Sequence, residues 1–412
     1  MLNTFGLVIL IILLLRYTID LIAKILQSKR FDPKIPKEFQ GVYNKKDYKR
    51  SQSYTKEKIQ FSIIAASVDL LFLLIFWFLG GFYGLRVLVQ AWELPFLITG
   101  LSYVGIIYFL FTIIDLPFQA YFTFVIEEKY GFNKTTVKTF FLDLLKSLLI
   151  SIVLGAIVLS VIFLMFNHFG QIAWIYVWLI VAIFEIFIMF ISPNVIAPMF
   201  NKFKPLEKGN LRKAIFNYAK KIGYPLKNIF IMDGSRRSSK SNAFFMGLGK
   251  NKKIALFDTL VKKHNIQEIV SILGHEIGHY KKKHILMHIL ISILNLGLMF
   301  YLFSLFLESY DFFNAFGLSE PSIYVGIVIF GFLYTPISYI VSVFTNWLFR
   351  RFEYQADYFA KKTTGTYKHL VEALKKLAVN NLSNLYPHPF YVFLYYSHPP
   401  LLKRIKALKK ID

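Results

Sequence analysis

Long apolar runs alternate with short polar segments along most of the chain. Seven of these runs are near or above the roughly 20 residues that cross the hydrocarbon core of a bilayer. The pattern therefore predicts seven membrane-spanning helices, with the fourth and fifth joined by a tight hairpin. The predicted spans cover residues 4–26, 61–85, 96–124, 140–166, 172–199, 285–307 and 322–348.

Basic residues are concentrated in alternate connections between these spans. Residues 28–60 carry ten lysines and arginines, whereas the connections at 167–171 and 308–320 carry none. Lysine and arginine collect in the cytoplasmic loops of membrane proteins. We therefore predict that the 28–60 loop and the C-terminus face the cytoplasm, and that the N-terminus lies outside.

The polar segments divide the chain into four regions. Residues 1–199 are predicted to hold spans one to five with the cytoplasmic loop 28–60. Residues 200–284 form a cytoplasmic region, residues 285–348 hold spans six and seven, and residues 349–412 form a cytoplasmic tail. The predicted fold class is an all-α polytopic membrane protein with a cytoplasmic domain that contains a small β element.

The region 200–284 has a mixed helix and strand pattern. An apolar and basic periodicity predicts a helix at 211–222, and short apolar runs predict strands at 228–232 and 253–257. Residues 235–249 between the strands are predicted as a polar loop. A further helix starts near Asn265 and is expected to continue without a break into span six.

Composition agrees with a membrane protein. The 412 residues are 56% hydrophobic and 18% aromatic, and the mean hydropathy of +0.50 is too high for one soluble core. The net charge of +24 is explained by basic cytoplasmic loops that face anionic lipids, and no nucleic-acid-binding motif accompanies it. The chain has no cysteine, which excludes disulfides and a cysteine nucleophile or ligand.

The helix that begins near Asn265 carries a possible metal site. His275, Glu276 and His279 form the H-E-x-x-H pattern of zinc hydrolases. On a helix, residues four apart lie about 40° round from each other and one turn along, so both imidazoles can bind one ion. Glu276 lies beside the same face, where it can act as a base toward a water. An amphipathic helix with solvated polar residues could produce this pattern by chance.

A third metal ligand is expected from the tail. Glu353 and Asp357 lie four residues apart on one predicted helical face, directly after Arg350 and Arg351. Glu353 can complete a His2Glu zinc site, and Asp357 can accept the second ring N–H of a liganding histidine. An Arg-Glu ion pair at the membrane boundary is the alternative, but the upstream motif favours the ligand role.

Another histidine pair, His284 and His288, follows the motif. On an unbroken helix these residues would lie about 180° to 220° round from His275. We therefore expect them to be packing and headgroup contacts that cannot share the metal.

The chain resembles the type I CAAX prenyl endopeptidases, which are integral-membrane zinc metalloproteases. The resemblance covers most of the sequence and depends on many ordered matches. The matching segments include 124–134, 193–205, 237–245, 256–260, 274–280, 353–357, 381–384 and 396–400.

The resemblance implies one Zn²⁺ per chain, with His275, His279 and Glu353 as ligands and Glu276 as general base. It further implies that Asn242 binds the substrate backbone and that His398 stabilises the oxyanion, with Arg404 as a further candidate for this role. For His398, a structural role in a turn that docks the tail is the alternative. The family fold implies seven helices around a large chamber. Lys240 departs from the family, whose members commonly carry histidine there, and this departure concerns the substrate and not the metal.

The expected substrate is a peptide or protein, which the family resemblance suggests is prenylated, and the chain is expected to act as a monomer in the lipid bilayer. The cysteine-free composition, rich in Lys, Ile and Phe, favours a bacterial inner membrane, with the ER membrane as the alternative. A quality-control protease similar to the HtpX branch is a second candidate function. An inactive or transport-like relative is a third, disfavoured by the intact Glu276.

Overall fold

The first half of the chain is built almost entirely from helices. The computed structural model describes residues 3–246 and 252–410. Side chains fix several helix starts, because Asn3, Asn44 and Thr136 each accept a hydrogen bond from a backbone N–H of the first turn. The helices are α1 (Thr4–Lys29), α2 (Lys45–Phe78), α3 (Gly81–Gln90), α4 (Phe96–Tyr121), α5 (Val137–Phe169), α6 (Ala173–Ile191) and α7 (Ala197–Phe200).

A four-stranded sheet follows, with strands β1 (Phe203–Pro205), β2 (Leu226–Met232), β3 (Ala243–Met246) and β4 (Lys252–Phe257). Their order in the sheet is β1-β2-β4-β3. Strands β2 and β4 are parallel, and the two edge strands pair antiparallel to them. The two predicted strands are confirmed as β2 and β4, and β1 was not predicted. Strand β3 lies in the predicted polar loop 235–249, whose residues 247–249 are outside the described residues. The helices of this region are α8 (Asn210–Lys221), α9 (Asp258–Lys263) and α10 (Ile266–Lys281).

The predicted continuous helix from Asn265 into span six is wrong. Helix α10 ends at Lys281, and Lys283 adopts a left-handed conformation with a φ of 59° before the next helix begins. A left-handed residue cannot continue a right-handed helix. The remaining helices are α11 (His284–Phe306), α12 (Tyr310–Asn314), α13 (Ile323–Thr364), α14 (Lys368–Asn380), α15 (Pro389–Tyr395) and α16 (Leu401–Lys410).

The described residues contain six apolar helical segments that are long enough to cross a membrane. The fourth, Val137–Phe200, includes both predicted spans four and five. It is interrupted by a 3-10 turn at Gly170–Ile172, and α5 and α6 pack against each other. Five of the predicted spans therefore match one segment each, while the count of seven crossings stays a prediction.

The apolar helices share an aromatic core and present apolar side chains outward. Phe163, Phe303 and Tyr324 are buried among α4, α5, α11 and α13. Large side chains such as Ile183 and Ile340 are 68% and 70% exposed. An exposed apolar surface of this kind is stable in lipid and not in water. The chain is an integral, multi-pass membrane protein.

The predicted 28–60 loop is helical from Lys45 onward, where α2 begins, and the part before α2 packs against the C-terminal tail. Phe39 and Tyr43 share a buried cluster with Leu370 of α14 and Ile405 of α16. The Tyr43 hydroxyl also donates a hydrogen bond to the Ala378 carbonyl at 3.0 Å. Segments in such contact lie on the same side of a membrane, and the cytoplasmic side stays a prediction.

Candidate active site

The site forms where α10 crosses α13. A Cβ atom on Gly278 would lie 3.0 Å from the Ala356 Cα and 3.2 Å from the Ala356 carbonyl oxygen. At Gly274, one turn earlier, a Cβ would lie 3.5 Å from the Ala360 Cα and 2.6 Å from the Tyr218 hydroxyl. These small residues let the two backbones approach closely. The approach carries the H-E-x-x-H segment against the carboxylates of α13.

Three predicted ligands converge at this crossing. The Nε2 atoms of His275 and His279 lie 3.2 Å apart. The Glu353 carboxylate lies 3.5 Å from His275 Nε2 and 3.2 Å from His279 Nε2. Each of the three residues offers one donor atom, and these atoms lie within 4.8 Å of one another. Among the described residues, this is the one His-His-Glu group that could hold a metal ion.

The donor set fits a zinc-sized ion. Zinc binds imidazole nitrogen and carboxylate oxygen at about 2.0 to 2.2 Å in tetrahedral sites, so neighbouring donors should be separated by about 3.3 to 3.4 Å. The observed separations of 3.2 to 3.5 Å bracket that value. Three protein ligands also leave the fourth position for water or substrate, as catalytic sites require.

Asp357 and Arg404 form a buried pair behind His275. The Asp357 carboxylate lies 2.9 Å from His275 Nδ1, so it can accept the Nδ1 proton and leave Nε2 free to bind a metal. Arg404 donates two hydrogen bonds to the same carboxylate, at 2.8 and 2.6 Å, and its Nη1 lies 3.1 Å from Glu353. Burial alone lowers the pKa of Arg404, but Asp357 and Glu353 together raise it above its usual value. The guanidinium therefore stays cationic and compensates both carboxylates.

Glu276 supplies a carboxylate at the site that is not engaged by a neighbouring side chain. Among the described residues it has no hydrogen-bond partner. Burial raises the pKa of its carboxyl, although His275 and His279 act in the opposite direction. A partly buried carboxylate with a raised pKa and no fixed partner is suited to accepting a proton.

His398 faces the same metal-ligand group from the loop before α16. Its Nε2 lies 3.3 Å from the Glu353 carboxylate, and its Nδ1 lies 3.0 Å from the Ser397 hydroxyl. The side chain is 65% exposed and lines an open cleft of about 520 Å³ with Tyr396 and Lys58. A substrate in this cleft can therefore reach His398.

Asn242 lies at the start of an edge strand and not among the metal donors. Its backbone carbonyl accepts a hydrogen bond from the Phe257 N–H at 3.2 Å, which places it beside the end of β4. Strand β3, which follows, pairs with β4 on one side and is an edge of the sheet. No contact joins Asn242 to His275, His279 or Glu353 in the described parts of the chain.

Lys240, the residue that departs from the family pattern, has structural partners. Its ammonium donates to Glu127 at 2.6 Å and to the Tyr54 hydroxyl at 2.8 Å. It also lies 4.4 Å from the centre of the Phe132 ring. Lys240 thus fixes the loop before β3 to α2 and to the segment that follows α4.

Two residues at the site were not predicted. His284 was expected to contact headgroups, but it is buried and its Nδ1 lies 3.1 Å from His279 Nδ1. Gln355 lies 3.0 Å from the other nitrogen of His284. The break after Lys281 turns His284 back toward the H-E-x-x-H motif. The direction calculated for His284 on an unbroken helix was therefore wrong.

Comparison with known proteins agrees with this architecture. The family described as "CAAX prenyl protease N-terminal, five membrane helices" matches residues 24–202, and "Peptidase family M48" matches residues 205–412. The chain belongs to peptidase family M48. It is a membrane metalloendopeptidase of the CAAX prenyl protease type, and the family membership itself implies a metal.

Relatives and a solved structure align along nearly the whole chain. A rice protein named "CAAX prenyl protease 1 homolog" is 37% identical over 92% of this chain and 91% of its own length. The Saccharomyces cerevisiae "CAAX prenyl protease 1" is 35% identical over 93% and 90%. The crystal structure of S. mikatae Ste24p has a TM-score of 0.91 and 33% identity, and it covers 98% of this chain and 99% of that one. The fold of that structure therefore extends along nearly the whole chain.

Proposed function

We propose that this peptidase uses zinc to cleave C-terminal residues from prenylated proteins. The observation that carries the proposal is the convergence of His275, His279 and Glu353 at separations of 3.2 to 3.5 Å, beside the uncommitted Glu276. The donor chemistry of two imidazoles and one carboxylate is that of catalytic zinc. The prenylated substrate is suggested by the similarity to CAAX prenyl proteases.

The proton transfers are assigned to Glu276. When bound, zinc supplies a Lewis acid that polarises the scissile carbonyl and lowers the pKa of a water toward about 7. Glu276 then accepts the proton of the attacking water and delivers it to the leaving amine. Burial raises the pKa of the Glu276 carboxyl, which makes the carboxylate a stronger base for the first of these transfers.

His398 is assigned to the oxyanion that develops on the carbonyl. Its position in the open cleft and its distance of 3.3 Å from Glu353 allow its Nε2–H to reach the reacting carbonyl. Arg404 was expected to help, but its donors are directed to Asp357 and Glu353. We therefore assign Arg404 to positioning these two carboxylates.

Asn242 and strand β3 are assigned to the substrate backbone. An edge strand offers unpaired backbone N–H and C=O groups that can bind an extended peptide. Asn242 begins this edge, because its own carbonyl makes the last backbone contact with β4. The substrate would extend from there toward the metal ligands.

The active site is proposed to face the cytoplasm, since the basic 28–60 loop packs against the tail that carries Arg404 and His398. We also propose that one chain suffices, because one chain supplies the entire donor set. The composition still favours a bacterial inner membrane, with the ER membrane as the alternative. Expression of a fluorescent fusion in the source organism distinguishes these two compartments.

Cleavage of matched peptides tests the proposed function. Detergent-purified protein is incubated with a farnesylated peptide and with the same peptide unmodified, with and without a zinc chelator. We expect faster cleavage of the farnesylated peptide, abolished by the chelator and restored by Zn²⁺. Equal rates on both peptides would remove prenyl recognition and favour a quality-control protease. Cleavage that survives metal removal would contradict the zinc mechanism.

A further inference from the structure

The second nitrogen of His279 has a partner that belongs to a short hydrogen-bonded chain. His279 Nδ1 lies 3.1 Å from His284 Nδ1. His284 Nε2 in turn lies 3.0 Å from the Gln355 side-chain oxygen. The chain therefore runs from a metal-site residue of α10, through the first residue of α11, to a residue of α13 close to Glu353.

The orientation of the Gln355 amide sets the order of donors in this hydrogen-bonded chain. The amide oxygen faces His284 Nε2 and can only accept, so in this orientation His284 Nε2 carries the proton. Neutral His284 then presents an unprotonated Nδ1, which accepts the proton from His279 Nδ1. His279 is left with a free lone pair on Nε2, the atom that faces His275 and Glu353.

The opposite arrangement is incompatible with a metal at this site. If the Gln355 amide were turned to donate its N–H, every proton in the chain would reverse. His279 Nε2 would then carry a hydrogen and could not bind an ion. The orientation of one amide group thus decides whether His279 is a ligand.

The surroundings hold His284 in place. The residue is 3% exposed, and its ring stacks on Phe352 with centroids 4.1 Å apart and planes at 6°. The left-handed Lys283 sets the direction in which His284 leaves the turn. The helices α10 and α13, which supply the metal ligands, are therefore both linked by this chain of hydrogen bonds.

We propose that His284 and Gln355 are positioning residues that fix the tautomer and ring orientation of His279 for metal binding. They do for His279 what Asp357 does for His275, with a neutral imidazole and amide in place of a carboxylate. This inference rests on the proposed metal site and assigns it two further residues. It also explains why α11 begins with a buried histidine directly behind the metal site.

Metal affinity measures this role independently of catalysis. Zn²⁺ is titrated into detergent-purified, metal-stripped protein against a chromophoric chelator. We expect His284→Phe, which keeps the stacking on Phe352, and Gln355→Leu to weaken zinc binding by about 10- to 100-fold, the usual cost of losing an outer hydrogen-bond partner. Gln355→Glu is expected to bind zinc at least as tightly as the wild type, because a carboxylate can only accept.

His288 is a matched control elsewhere in α11. Its ring stacks on Phe349 at 3.5 Å and 12°, as His284 stacks on Phe352, but it makes no hydrogen bond to a metal-site residue among the described residues. His288→Phe is therefore expected to leave zinc affinity unchanged. Visible absorption of the Co²⁺-substituted protein should change in His284→Phe and not in His288→Phe.

The outcomes separate this inference from the proposed function. A wild type that binds no Zn²⁺ would overturn the metal site itself. A wild type that binds Zn²⁺ together with Gln355→Leu of equal affinity, or with Gln355→Glu as weak as Gln355→Leu, would overturn the inference alone. If His284→Phe does not fold, as judged by size-exclusion chromatography, the Gln355 pair still decides.

Discussion

Gly278 lies so close to Ala356 that a Cβ atom on the glycine would come within 3.0 Å of the alanine Cα. The contact is between backbones of α10 and α13, and flexible side chains cannot relieve it. The separation of the two helices therefore sets the distances among His275, His279 and Glu353. The metal site depends on this crossing as much as on the ligands.

Enlarging Gly278 should open the crossing. We expect Gly278→Val to lower zinc affinity and peptidase activity together, with Gly278→Ala intermediate, because overpacking costs typically about 1 to 3 kcal/mol. Zinc titration and thermal unfolding measure both effects. Gly155→Ala in α5 is the control, since a Cβ there meets nothing within 4 Å. A fully active Gly278→Val would contradict this role for the contact.

Removing one partner of the buried Asp357–Arg404 pair should be costly. Asp357 is 2% exposed and Arg404 is 8% exposed. Arg404→Met leaves a buried carboxylate uncompensated, and such changes cost about 3 to 5 kcal/mol of unfolding free energy. We expect Asp357→Asn combined with Arg404→Met to recover part of that stability, measured by denaturant unfolding in detergent, without recovering zinc affinity. Additive losses in the double variant would show that the two residues do not act as a pair.

Substitution of His398 should affect turnover more than metal binding. Loss of one oxyanion donor typically lowers kcat by about 100- to 1000-fold, so we expect His398→Ala to fall in this range with stoichiometric zinc and a similar KM. Ser397→Ala, which removes only the partner of Nδ1, should have a smaller effect. Loss of zinc from His398→Ala would instead indicate a structural role in docking the tail.

The absence of cysteine makes topology directly measurable. Single cysteines introduced at Lys46 and His168 are the only thiols in their variants. We expect a membrane-impermeant maleimide to label Lys46→Cys from the cytoplasmic side and His168→Cys from the opposite side. The cysteine-free wild type is the background control. Labelling of both positions from one side would refute the predicted orientation.

The features that could be predicted from sequence are local in the chain. The apolar runs specify their own helices, and the spacing of His275, Glu276 and His279 brings three groups to one face of α10. Glu353 could be predicted as a ligand because Asp357 follows it by one helical turn. These patterns depend on neighbours within a few residues.

The features that could not be predicted depend on contacts between distant segments. The left-handed Lys283 interrupts residues 279–296, which contain no glycine or proline, and it reverses the placement of His284. Strand β3 spans only Ala243–Met246 and exists because it pairs with β4. Gln355 acts on the metal site only through His284, the first residue of α11. Helix geometry alone gives none of these three contacts.

Glu276 is assigned the proton transfers of a metal-dependent peptidase. Glu276→Gln removes the base and keeps the size of the side chain, and His275, His279 and Glu353 remain. Bound zinc and the rate of cleavage of a farnesylated peptide are measured on the same purified sample. We predict one zinc per chain and no detectable cleavage above background. Cleavage at the wild-type rate by the zinc-loaded Glu276→Gln protein would contradict the mechanism.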